Sequence, residues 1–87
     1  MSDSATRICS FSKNQRERVV ISIDAFKGHN LLDIRAFAVP QDGGEEKPTP
    51  KGITIRVCLL DSLLEGLADA RAELVRRGLL DSEARHA

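Results

Sequence analysis

Aromatic side chains are nearly missing: the 87-residue chain holds three Phe and neither Trp nor Tyr. Any stacking surface must therefore be built from very few rings. Cysteine is scarce too. Cys9 and Cys58 lie far apart and form no CxxC pair, so they read as small, half-buried residues in a reducing compartment. The two histidines, His29 and His86, match no metal-ligand spacing, and neither a metal nor a cofactor is expected. No apolar run approaches the roughly 20 residues that span a bilayer. The opening MSDSATR lacks the apolar stretch of a signal peptide. The expectation is an intracellular protein away from membranes, in the cytoplasm or nucleoid, or in the nucleus of a eukaryote. GxGxxG, P-loop, HExxH and GxSxG patterns are all missing. Asp24 and Asp33 flank a predicted hairpin, but paired carboxylates there read as ion-pair partners of Arg35 or a lysine. No enzymatic role is expected.

Net charge is absent as well, with 13 Lys plus Arg against 13 Asp plus Glu. This excludes a polybasic wrapper but not a basic patch. Across residues 7–56, nine basic side chains face six acidic ones, leaving that half at +3 and the remainder at −3. What is present in quantity is aliphatic: the hydrophobic fraction of 41% excludes a disordered chain. The length allows one small domain of marginal stability, so association with a second copy is a serious structural expectation.

Residues 1–6 are small and polar and are expected to be disordered. Arg7 to Phe11 alternates weakly, as a short edge strand. Val19 to Phe26 (VVISIDAF) is β-branched and alternating, which predicts a strand. Lys27-Gly28-His29-Asn30 predicts a tight hairpin turn, and Leu31 to Val39 a second long strand ended by Pro40. Alternation puts Leu32, Ile34, Ala36 and Ala38 on a packing face, with Asp33, Arg35 and Phe37 on a charged, solvent-facing one. Residues 40–52 hold all three prolines and three of the six glycines and predict a loop. Ile53 to Val57 predicts a further strand.

The period then changes to about 3.6. Leu60, Leu63, Leu64, Leu67, Leu74 and Val75 form a helical stripe. Asp61 or Ser62 is the expected N-cap. Arg76, Arg77 and Gly78 form a C-terminal signature. The tail, residues 79–87, is expected to be loosely ordered. The fold class is therefore α+β: a four-stranded antiparallel sheet followed by one C-terminal helix, β-β-β-β-α. The leucine stripe predicts a two-fold homodimer.

FKG (26–28), LLDIR (31–35) and KPTPKGI (47–53), followed by a leucine-bearing helix, resemble the transcriptional coactivator family called positive cofactor 4. The resemblance covers roughly residues 18–75, and the expected single domain runs over residues 7–78. It implies a dimer whose paired sheets bind single-stranded or unwound DNA with little sequence preference and without catalysis. The expected roles are transcription regulation, alongside the transcription machinery, or protection of exposed strands. Carried over position by position, it implies hairpin-tip contacts from Phe26 and Lys27. His29 stands where the family often has lysine, so its contact depends on a protonated ring. Arg35 matches the arginine of the IDIR-type motif, and Lys47, Pro48, Lys51 and Gly52 match the KP-x2-KG segment. Phe37 keeps an aromatic that either stacks bases or fills a dimer seam. Pro50 replaces a basic residue, and Ala38 a tryptophan. The Ser- and Lys-rich regulatory arm of eukaryotic members is missing, which favours a bacterial or phage-type member.

Simpler roles compete: Phe26 as a core residue, Arg35 engaged by Asp33 or Asp24, Lys51 as plain loop charge. Two other functions compete as well, RNA binding on the same surface and a protein-interaction module without nucleic-acid affinity.

Overall fold

The computed structural model describes residues 5–81. The expectations of a disordered start and a loose tail therefore lie, over residues 1–4 and 82–87, outside the described residues. Four strands run in chain order across one antiparallel sheet: β1 (Thr6–Ser12), β2 (Glu17–Phe26), β3 (His29–Ala38) and β4 (Lys47–Arg56). A 3-10 turn (Val57–Leu59) leads into α1 (Leu60–Arg76). The sheet, through Val57, and the helical segment, from Cys58, are separate compact units.

The β2–β3 hairpin is the most regular part of the sheet, with ten consecutive pairs from Glu17–Ala38 to Phe26–His29. Only Lys27 and Gly28 form its turn, with φ of 51° and 81°. Two successive positive φ angles are the signature of a type I′ turn, whose twist matches that of the strands it joins. His29 and Asn30, expected in the turn, begin β3 instead.

The segment 47–52, expected as loop, is strand. β4 is a sheet edge, where Pro48 and Pro50 need no ladder donor. The ladder is interrupted between Arg35–Gly52 and Phe37–Pro48, so Thr49, Pro50 and Lys51 oppose Ala36 alone, a bulge. Thr49 Oγ1 donates to Ala36 O at 2.7 Å across this gap, a side chain doing the work of a missing backbone donor. β1 carries a second irregularity between Arg7 and Cys9. Its first residue, Thr6, falls in the segment expected to be disordered.

The expected division of β3 into a covered and an open face is also corrected. Asp33 (5% exposed) and Phe37 (6%) are among the most buried residues, alongside Val20, Ser22 and Ala36. Val20 and Ser22 sit opposite Arg35 and Asp33 in register, so the buried polar pair and the buried ring share one face. Alternation assigned these residues to one side correctly. It could not show that groups remote in sequence would cover that side. The other face is aliphatic, with Ile23 and Ile53 exposed.

α1 buries no residue, and Leu60, Leu64, Leu67 and Leu74 are exposed along it. Its N-cap is Leu59, without a side-chain hydrogen bond. Asp61 lies in the first turn instead, where its charge favours the helix dipole. At the other end Gly78 takes φ 75°, and the Gly78 and Leu79 amides donate to Val75 O and Leu74 O. That is the Schellman pattern, and it orders the first residue of the expected loose tail. Cys9 and Cys58 are both free and exposed rather than half-buried. No helix among the described residues is long and apolar enough to cross a membrane.

Candidate nucleic-acid interface

Strand register sorts the candidate residues. Phe26 pairs with His29, and Leu31 with Arg56, so Phe26, His29 and Arg56 project from the same face as Arg35 and Phe37. Phe26 is 58% exposed at the hairpin tip, with Lys27 Nζ 5.2 Å from its ring centre. It is therefore a presented ring rather than a core residue. Arg56 Nη2 lies 3.4 Å from His29 Nε2. An open ring beside Lys27 and His29, with Arg56 reaching His29, can stack on a flat ligand while holding its negative charge. Arg56 was not singled out in the sequence, although alternation through Gly52, Thr54 and Arg56 puts it on Arg35's face.

Midway along that face lies a built polar network. Arg35 Nε and Nη2 donate to the Asp33 carboxylate, at 3.1 Å to Oδ2 and 2.9 Å to Oδ1. Nη2 also donates to Thr54 Oγ1 (3.1 Å) and Nη1 to Thr49 O (3.0 Å). Thr54 Oγ1 in turn donates to Asp33 Oδ1 at 2.6 Å. Burial pushes the Asp33 carboxyl up, but the hydrogen bonds from Arg35 and Thr54 outweigh it and hold the group below its ordinary value. Of the five guanidinium hydrogens, this network leaves one on Nη1 for a ligand. Arg35 is thus a fixed charge bordering a cleft of about 420 Å³ lined also by Asp24, Pro48, Pro50 and Thr54.

Phe37 is covered by Arg7, whose guanidinium lies 5.3 Å from the ring centre. Glu46 draws in both Arg7 (3.5 Å) and Arg18 (3.9 Å). The ring is not the solvent-facing one expected from alternation.

Lys47 pairs with Ala38, on the opposite face. Lys51 reaches Glu17 at 3.3 Å, and Lys13 reaches the same carboxylate at 3.1 Å. Hydrogen bonds from Lys13, Asn14 and Lys51 hold Glu17 below the usual carboxylate range. The structure therefore separates Lys47 and Lys51 from Arg35 by face but not by location, because β4 is the rim of the sheet. Gly52 has a structural reason of its own. A Cβ there would stand 2.6 Å from Ile34 O and 2.8 Å from Arg35 Cα, so only glycine permits this approach.

Comparison with known proteins gives one consistent result. Residues 13–66 match the family model Transcriptional Coactivator p15 (PC4). The chain is 34% identical over 71 residues to the RNA polymerase II transcriptional coactivator SUB1 of Saccharomyces cerevisiae. That match takes in 82% of this chain but 23% of the yeast protein, so the chain spans about a quarter of its curated relative. Crystal structures of a PC4 homolog from Burkholderia pseudomallei K96243 superpose with TM-scores of 0.71 (orthorhombic form) and 0.69 (tetragonal form). Both are 34% identical, covering 80% and 77% of this chain and 93% and 97% of theirs. By sequence and by fold, this chain belongs to the PC4 family of transcriptional coactivators.

Proposed function

We propose that the protein binds single-stranded or unwound DNA as a homodimer, with little sequence preference and no catalysis. It acts in transcription or in protecting exposed strands, in the cytoplasm or nucleoid, or in the nucleus of a eukaryote. The observation that carries this reading is the hairpin tip: an exposed Phe26 beside Lys27 and His29, with Arg56 reaching His29, in a protein of the PC4 family. Bases stack on Phe26, which accepts any base because every base has a π-face. Phosphates meet Lys27 and Arg56 at the tip and Lys47 and Lys51 along the β4 rim. Arg35, held by Asp33, adds one oriented donor from the cleft between them. Gly52 lets β4 lie close to β3, and Pro48 pairs with Phe37 beyond the bulge, so that tip and rim form one track.

The exposed leucines of α1 support the dimer, because an apolar stripe of this length is stable in water when a second copy covers it. Sedimentation should give a dimer at micromolar concentration, and a monomer would refute that use of the stripe. The DNA reading is tested by fluorescence anisotropy with a labelled single-stranded 20-mer, competed by duplex and by matched RNA, across a salt series. Duplex-resistant binding with a log–log salt slope of about −0.7 per phosphate contact supports it. Displacement by RNA at lower concentration than by DNA would reassign the ligand to RNA. No binding even at low salt would overturn the nucleic-acid reading and favour a protein partner.

A further inference from the structure

Beside Phe37 lies a second cleft, of about 400 Å³, which the tip-and-rim track does not use. Its size is that of a small-molecule site. Its apolar lining is the Phe37 ring, Pro48, Val20 and Ala5. Arg7 lies over the ring, and Glu45 and Glu46 stand at the border. Two polar atoms in it are unusual. Ser22, 1% exposed, lines the cleft. Among the described residues no hydrogen bond reaches its Oγ, nor the buried Oε1 of Glu46. Arg7 Nη1 stands 3.5 Å from that Oε1, without hydrogen-bond alignment. Leaving such groups unmade costs free energy, so a buried hydroxyl and a buried carboxylate oxygen at one cleft point to a ligand that satisfies both.

The chemistry narrows that ligand. Glu46 already engages Arg7 and Arg18 and Glu45 adds a further anion, so the border lacks the net positive charge that would hold a phosphate, and the backbone of a strand is not the favoured occupant. Apolar walls with a ring and a guanidinium suit a flat heterocycle, stacked on an aromatic or an arginine plane. Glu46 Oε1, ion-paired with Arg7 but accepting no hydrogen bond, calls for donors on the edge of that heterocycle. Guanine offers two adjacent ones, N1–H and N2–H, which match a carboxylate. Thymine offers one donor, N3–H, flanked by two carbonyls that repel the same oxygens, and adenine and cytosine each set a ring-nitrogen acceptor beside their amine.

We propose that this cleft is a guanine-selective subsite within the otherwise sequence-tolerant interface, with Glu46 reading the base edge, Ser22 completing its hydrogen bonds and Phe37 supporting its face. Arg7, half-exposed on β1, is the group that moves off the ring and stacks on the outer side of the base. This rests on the single-strand reading above.

The test compares a thymidine 20-mer with the same strand carrying one central guanine, by anisotropy at fixed salt. The guanine strand should bind at least about five-fold more tightly, the low end for one good bidentate base contact. Glu46→Gln should bring the ratio to about one while raising affinity for the thymidine strand, because an anion beside Arg7 and Arg18 is removed. Ser22→Ala should lower the ratio part of the way and serves as the second variant if Glu46→Gln melts early. A ratio of one in the native protein, or a preference that both variants retain, overturns the subsite and leaves a water-filled polar void. Failure to bind either strand would overturn the single-strand reading itself, a distinct outcome.

Discussion

Replacing Gly52 by alanine tests the close approach of β4 to β3. The new Cβ would sit 2.6 Å from Ile34 O, 2.8 Å from Arg35 Cα and 3.0 Å from Arg35 Cβ, where ordinary contact begins at 3.4 Å. The worst overlap is thus about 0.8 Å, from 3.4 minus 2.6, and two of the three neighbours are backbone atoms of a central strand. Neither can rotate away, so β4 has to move. The movement pulls on the bulge, whose ties are Thr49 Oγ1 to Ala36 O and Arg35 Nη1 to Thr49 O. Overpacking costs about 1–3 kcal/mol, and backbone neighbours place this case in the upper part of that range, about 2–3 kcal/mol. For a domain of this size that lowers Tm by about 10–20 °C. The assay is thermal unfolding by circular dichroism at one fixed protein concentration, since dimerisation makes Tm concentration-dependent. Gly66→Ala is the control. Gly66 lies inside α1, and a Cβ added there would meet nothing within 4 Å, so alanine should stabilise by about 0.5–1 kcal/mol. A Gly52→Ala loss under about 3 °C would refute the close-approach argument.

Phe26→Ala should leave Tm within the range of surface substitutions, about ±0.5 kcal/mol, while weakening single-strand binding by about 1–3 kcal/mol; unchanged anisotropy titrations would remove Phe26 from the interface. A Lys47/Lys51 double alanine should weaken binding of many sequences alike, and a loss confined to some sequences would contradict a phosphate role. Asp33, Glu17 and Glu73 all lie below their ordinary carboxylate values, the last through hydrogen bonds from Arg76 and Arg77. Each therefore adds stability that is fully present above the unfolded value near pH 4 and is lost as pH falls through the lower folded value. Melting temperature should be flat from about pH 7 to pH 5 and fall below about pH 4; a flat profile down to pH 3 would sink this assignment. Asp33→Asn should flatten part of that acid limb and cost about 2–3 kcal/mol at neutral pH, less than for a fully buried pair because Arg35 keeps some solvent access.

The parts of the fold legible in the chain are those governed by local rules. Alternation through VVISIDAF and LLDIRAFAV, with Lys27-Gly28-His29-Asn30 between them, predicts the hairpin to within two residues. The change of period near Leu60 marks the helix, and Gly78 its end. The first half of β4 was hidden because Pro48, Pro50 and Gly52 are loop signals locally. They are strand residues here only because β4 is an edge and because it bulges opposite Ala36, both of which are properties of the assembled sheet. The burial of Asp33 and Phe37 was hidden for a related reason. Period 2 tells which residues share a face, while what covers that face is Arg7 over Phe37, and Arg35 with Thr54 at Asp33, contacts that only the assembled sheet makes. The resemblance to a known family located the tip and the rim, but not Arg56, which register alone brings beside His29.

The zero net charge takes on a meaning once the ion pairs are placed. Acids are not spread evenly over the cations of the interface. Glu17 engages Lys51, and Asp33 engages Arg35, whereas among the described residues no ion pair engages Lys27, Lys47 or Arg56. A cation already neutralised by a protein carboxylate releases fewer counterions when a phosphate replaces that partner, because one anion is exchanged for another. The salt slope should therefore count the three unpaired cations rather than all five. At about 0.7 per contact on a single strand, that is a slope near −2 per protomer instead of about −3.5. Glu17→Gln frees Lys51 and should steepen the slope by about 0.7 while tightening binding at low salt. If the native slope already stands near −3.5 and Glu17→Gln leaves it there, Lys51 and Arg35 release counterions like unpaired cations, which refutes a role for the ion pairs in setting the slope.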